Sequence, residues 1–116
     1  MSNEKVFAMR YAKVFPLLIA KAERKGRSRE EVLMAASWLT GYSADAMENF
    51  LSTDLTYGDF FRHAPAMHAN RAKITGSVCG VKLSEIDDPL MLELRRLDKL
   101  VDELAKGWPM EKILRS

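Results

Sequence analysis

Cys79 is the single cysteine of the chain, and His63 and His68 are its two histidines. Together they are the side chains best suited to nucleophilic or base chemistry near neutral pH. A thiolate site needs an accessible sulfur beside a base or a helix N-terminus. Cys79 instead sits in Ser77-Val78-Cys79-Gly80-Val81, among small and apolar residues near an expected helix C-terminus. That setting predicts a buried small hydrophobe. The histidines flank Pro65, and their spacing fits no common zinc pattern. Gly76 to Gly80 lacks the lysine and the preceding strand of a phosphate loop. The four-residue spacing of Gly76 and Gly80 allows close backbone approach on a helix and suits a turn or cap equally well. No catalytic residues, cofactor or metal ligands are expected, and the chain is expected not to be an enzyme.

Charge is the next candidate for recognition chemistry. Residues 1–29 hold 8 basic and 2 acidic side chains, whereas 30–61 hold 0 and 6. Residues 62–82 hold 4 and 0, and 83–116 hold 6 and 8, so a net charge of +2 hides blocks of opposite sign. Residues 31–51 have the outline of a helix-turn-helix around Gly41-Tyr42-Ser43. A DNA-reading second helix needs basic neighbours for phosphate, and this one carries Asp45 and Glu48 with no cation. Repulsion wins, and the expectation is a helical hairpin packed on a core. Lys21, Arg24, Lys25, Arg27 and Arg29 form a better electrostatic surface, for nucleic acid or for the acidic block of the same or another molecule. A solvated helix end with cations at the negative end of its dipole explains the same cluster. No aromatics interleave with it to stack bases.

The elements that carry these residues read as helices. Phe7, Tyr11, Val14, Leu18 and Ala22 follow one helix face, which Pro16 is expected to kink or break. Gly26 ends that segment, and Ser28 with Glu31 opens the next as a capping box running to Gly41. Ser43 caps a third helix and Thr56 a short fourth one with Phe60 and Phe61. Residues 63–71 read as an irregular loop. Residues 73–83 suit a helix ending at Gly80, while their β-branched content also allows a strand; helix is preferred because no partner strand is evident. Asp88-Pro89 starts a long helix with Leu90, Leu94, Leu97, Val101 and Leu104 on one face. Leu92 lies on the other side with Arg95, Arg96, Lys99, Glu103 and Lys106. Gly107 stops it, and Pro109 starts a last turn. The expected fold is all-α, a compact irregular bundle of six or seven helices forming a single domain over residues 1–116.

At 116 residues, burial of roughly two thirds of the unfolded surface supplies a core without staples. A single cysteine cannot form an internal bridge and suits a reducing compartment. No signal peptide or membrane span is indicated, so a cytoplasmic setting is expected.

Several motifs carry a resemblance. Trp38-Leu39-Thr40-Gly41-Tyr42, Ile74-Thr75-Gly76, Cys79-Gly80-Val81, Asp88-Pro89-Leu90-Met91 and the tail from Leu97 to Leu114 resemble a family of small bacterial proteins catalogued as domain of unknown function 2200. The resemblance spans nearly the whole chain. It implies a stand-alone bacterial cytoplasmic domain and supplies no activity, ligand or catalytic residue. It includes Asn70 and Arg71, and the chain departs from the family pattern at His63 and His68. A site is therefore sought where Asn70, Arg71, Thr75 and Cys79 could meet Tyr42 and Trp38, since an arginine and an amide beside aromatics can hold a small anion or carboxylate. The competing expectation is that Arg71 pairs with an acidic side chain to fix its loop.

The leading expectation is a non-enzymatic helical protein-interaction module acting on a protein partner, with homodimerisation through the 88–106 helix or through Leu92 and Trp108-Pro109. The alternative is a non-specific nucleic-acid-associated accessory protein using residues 21–29.

Overall fold

In the computed structural model, which describes residues 3–115, the caps read from the sequence mark most helix ends. The described residues form seven α-helices: α1 (Asn3–Phe7), α2 (Tyr11–Glu23), α3 (Arg29–Thr40), α4 (Ala44–Asn49), α5 (Tyr57–Arg62), α6 (Pro89–Ala105) and α7 (Met110–Ile113). Ser28 accepts from the Glu31 N–H while the Glu31 carboxylate accepts from the Ser28 N–H, a closed capping box. Ser43 and Thr56 cap α4 and α5 through the N–H groups of Ala46 and Asp59. The Asp88 carboxylate accepts from Leu90 and Met91, with Pro89 behind it.

These helices enclose one core. The faces Tyr11/Phe15/Ile19/Ala22 of α2, Val32/Ala35/Ala36/Leu39 of α3 and Leu94/Leu97/Val101/Leu104 of α6 meet there. An aromatic cluster fills the end under α5, where Phe60 contacts the rings of Tyr11, Tyr42 and Phe61 at centroid distances of 4.7, 4.8 and 5.0 Å. The Tyr11 hydroxyl donates to the Met47 carbonyl at 2.9 Å.

Four features differ from expectation. The first helical segment breaks at residues 8–10, not at Pro16: the Tyr11 N–H donates to the Leu55 carbonyl and the Tyr57 N–H to the Met9 carbonyl, which pulls that stretch into a bridge. α2 continues through Pro16, which is exposed, on a side where solvent can tolerate the missing bond.

Residues 73–83 are not a helix. They form a hairpin, β1 (Ser77–Val78) against β2 (Val81–Lys82), with 3-10 turns at Arg71–Lys73 and Leu83–Glu85. The partner strand sits only two residues away, across Cys79-Gly80, where φ is +52° and +77°. That pair of left-handed residues is the signature of a tight type I′ hairpin turn and is incompatible with a right-handed helix. As a result Cys79 is exposed at the hairpin tip and not a buried hydrophobe.

On α6, Lys99 and Glu103 were expected on the outer side with Leu92, yet both are buried. Glu103 is covered by the chain end, which brings Arg115 onto its carboxylate at 2.6 Å to each oxygen. Lys99 lies instead against the turn at Gly76, where an added Cβ would stand 3.6 Å from its Nζ.

Candidate functional site

The 63–71 loop is built onto the end of α3. The Ala66 and His68 N–H groups donate to the carbonyls of Thr40 and Leu39, both at 3.0 Å. Gly41 permits this approach, since a Cβ there would lie 2.7–2.9 Å from atoms of Ala66. The imidazole of His68 then stacks on the Trp38 indole, with centroids 4.1 Å apart. Below it, the Asn70 N–H donates to His68 Nδ1 at 3.0 Å and Arg71 Nη1 donates to the His68 carbonyl at 2.8 Å. Arg71 Nε donates to Glu93 Oε2 at 2.8 Å, so the arginine fixes the loop to α6.

Trp38, Asn70 and Arg71 are thus joined through His68. The other three predicted site residues lie elsewhere. Tyr42 belongs to the aromatic core, its hydroxyl donating to the Phe60 carbonyl at 2.7 Å, and burial pushes its pKa up. Thr75 lines a separate cavity of about 260 Å³ with Ser84, Leu92 and Arg96. Cys79 stands at the hairpin tip.

Several of the segregated charges of the sequence pair with one another within the chain, mostly at its surface. Arg27 holds Glu31 through two hydrogen bonds, at 3.0 and 2.7 Å, and donates to the carbonyls of Leu104 and Trp108 at 3.2 and 2.6 Å. That guanidinium, helped by the Ser28 N–H, lowers the Glu31 carboxyl from its ordinary 4.5 to about 2. Arg29 pairs with Glu48 at 2.6 Å, Arg10 with Asp54 at 2.8 Å and Lys21 with Asp102 at 3.5 Å. Within the basic cluster, Arg24 and Lys25 remain exposed with no ion pair among the described residues.

The surface proposed from the sequence for dimerisation is also engaged internally. Leu92 is half-buried in the cavity wall. Trp108 is half-buried beneath two cations, Lys112 at 4.3 Å and Arg115 at 5.9 Å from its ring centroid. The large apolar side chains left open lie on other helices: Leu17 on α2 is 62% exposed and Met34 on α3 is 50% exposed. Met34 borders an apolar groove of about 400 Å³ with Leu33, Trp38, Ala44 and Leu114, and Glu30 at its rim. Sequence reasoning missed this groove because Met34 is simply one more apolar residue in an apolar helix.

Among the described residues, no group of three or more His, Cys, Asp or Glu side chains is placed to hold a metal ion. None of the described helices is long and apolar enough to cross a membrane.

Fold and surface together define a small, mostly helical domain with one core and an apolar groove beside a tryptophan. The chain belongs to the bacterial family described as "Uncharacterized protein conserved in bacteria (DUF2200)", whose model matches residues 5–115. It is similar to the protein in "Crystal structure of uncharacterized protein SP1917", with a TM-score of 0.93 and 54% sequence identity, covering 98% of this chain and 93% of that one. Comparison with curated proteins gives no match.

Proposed function

We propose that this chain is a non-enzymatic helical module that acts through protein contacts in the cytoplasm and self-associates through the exposed faces of α2 and α3. The observation that carries the reading is the pair of open apolar side chains, Leu17 and Met34, set in surroundings of opposite charge. Lys13 and Leu17 on α2 and Arg24 at its C-cap fall on one exposed stripe, and neither cation has an ion pair among the described residues. Glu30 and Met34 lie on one stripe of α3 beside the groove, and Glu30 is likewise unpaired. A two-fold dimer places the α2 stripe of one copy on the α3 groove of the other, and the reverse contact follows by symmetry. Apolar burial supplies the affinity, and the charges select the register.

The internal ion pairs weigh against the nucleic-acid alternative, because Lys21, Arg27 and Arg29 are engaged with carboxylates and only Arg24 and Lys25 remain for phosphate. The free thiol suits the reducing compartment this reading assumes.

Light scattering across the micromolar range tests the proposal. A dimer is expected, and Met34→Glu, which sets a second carboxylate beside Glu30, should weaken it by about tenfold or more. A strict monomer at every concentration and salt level overturns it.

A further inference from the structure

We propose that the 260 Å³ cavity between the 71–76 turn, the Leu83–Glu85 turn and α6 binds a small carboxylate with a short apolar tail, anchored by Arg96. This site shares no lining residue with the α3 groove and does not depend on self-association.

Three observations converge on an anion. Among the described residues, Glu93 is the one carboxylate shared by two guanidinium groups: Arg71 Nε donates to Oε2 at 2.8 Å and Arg96 Nη1 to Oε1 at 2.9 Å. The cluster is left with one surplus positive charge. Arg96 is mostly buried, with 14% of its side chain exposed, and its Nε–H lies buried without a partner. Native proteins rarely leave such a donor unfilled, and the group that fills it best is a carboxylate oxygen, which a guanidinium holds through paired, charge-assisted hydrogen bonds. A second cation stands close by. Gly76 lines the cavity, and a Cβ built on it would lie 3.6 Å from Lys99 Nζ. Lys99 has only a distant carboxylate partner, Asp102 at 3.9 Å, which also serves Lys106 at 3.0 Å and Lys21 at 3.5 Å. Cations therefore outnumber carboxylates around Glu93 and again around Asp102.

The walls set the rest of the ligand. Thr75 and Ser84 present hydroxyls at an exposed rim, and neither side chain is hydrogen-bonded within the described residues. Ile86 and Leu92 supply a half-buried apolar wall that suits a hydrocarbon chain and not a second charged group. The volume falls below the range of roughly 300–1,000 Å³ that takes drug-sized ligands, which limits the occupant to a short acid. A bare inorganic anion leaves the apolar wall wet. A nucleotide does not fit.

The test is an NMR titration of the full chain with 4-methylpentanoate, with inorganic phosphate as comparison. Saturable shifts confined to residues 74–76, 83–86 and 92–99 are expected with the carboxylate, and weaker ones with phosphate. Arg96→Met should weaken binding by about tenfold or more, and Lys99→Gln by several-fold. Ser84→Trp, at the exposed rim and outside every ion pair, should block entry while leaving the melting curve unchanged. The site is disproved if no saturable response appears in the millimolar range, if phosphate binds as well as the acid, or if folded Ser84→Trp binds as the parent does. The last variant keeps the test decisive even if Arg96→Met fails to fold.

Discussion

Two ionic clusters on α6, one near each end, contrast in how their charges are matched. Near the C-terminal end, Glu103 is completely buried and receives both guanidinium nitrogens of Arg115, while the neighbouring Arg27 closes on Glu31 and on the carbonyls of Leu104 and Trp108. Glu103 and Glu31 each have their own guanidinium, and these pairs staple the α7 tail and the start of α3 to α6. Near the N-terminal end, Arg71 and Arg96 share Glu93, and a buried donor is left over. Matched charge in a dry setting holds structure together. Surplus cationic charge beside a cavity is what a ligand would complete.

The largest effect that can break this contrast comes from removing one partner of the matched pair. Arg115→Ala leaves a fully buried carboxylate uncompensated and should lower stability by about 3–5 kcal/mol in urea unfolding. Arg71→Ala, in the over-supplied cluster, leaves Glu93 still paired with Arg96 and should cost about 1 kcal/mol or less. Equal losses in the two variants would erase the distinction.

A smaller effect tests Arg27 and Glu31 by pH. The carboxyl of Glu31 is lowered in the folded chain, so its stabilisation is fully present above about 4.5 and is lost as pH falls toward 2. Glu31→Gln should be less stable than the parent at neutral pH by about 1 kcal/mol, the scale of a lost cap. The difference should narrow between pH 4.5 and 2 in melting experiments. A gap that stays constant across that window would show that Arg27 acts on Glu31 only through shape.

The smallest expected effect lies away from both clusters, at the hairpin tip. Cys79 holds a left-handed φ of +52° that asparagine tolerates better. Cys79→Asn should raise stability by about 0.5 kcal/mol, read as a higher urea midpoint.

Most of the helical frame was legible in the sequence, because caps act over three or four residues. Ser28 with Glu31, Ser43, Thr56 and Asp88-Pro89 each satisfy N–H groups within one turn, so their side chains alone mark a helix start. The hairpin was also local, and Cys79-Gly80 between valines carried its signal; the preference for helix overlooked a partner strand two residues away. The candidate site was less legible. Trp38, Asn70 and Arg71 do come together, but through the stacking of His68, and the 260 Å³ cavity depends on Leu92 and Arg96, which lie far beyond Thr75 along the chain.

The sequence by itself determined where helices start and stop, and that opposite charges were available in blocks. Tertiary structure decided which charges met. It carried Arg27 onto the tail, Arg29 onto Glu48 and Arg115 onto a carboxylate that α6 alone would have left in water. It also decided that Met34 would stay open and that Arg96 would keep a donor free. Capping is settled between neighbours in the chain, whereas pairing and burial depend on distances that exist only after helices far apart in sequence have packed.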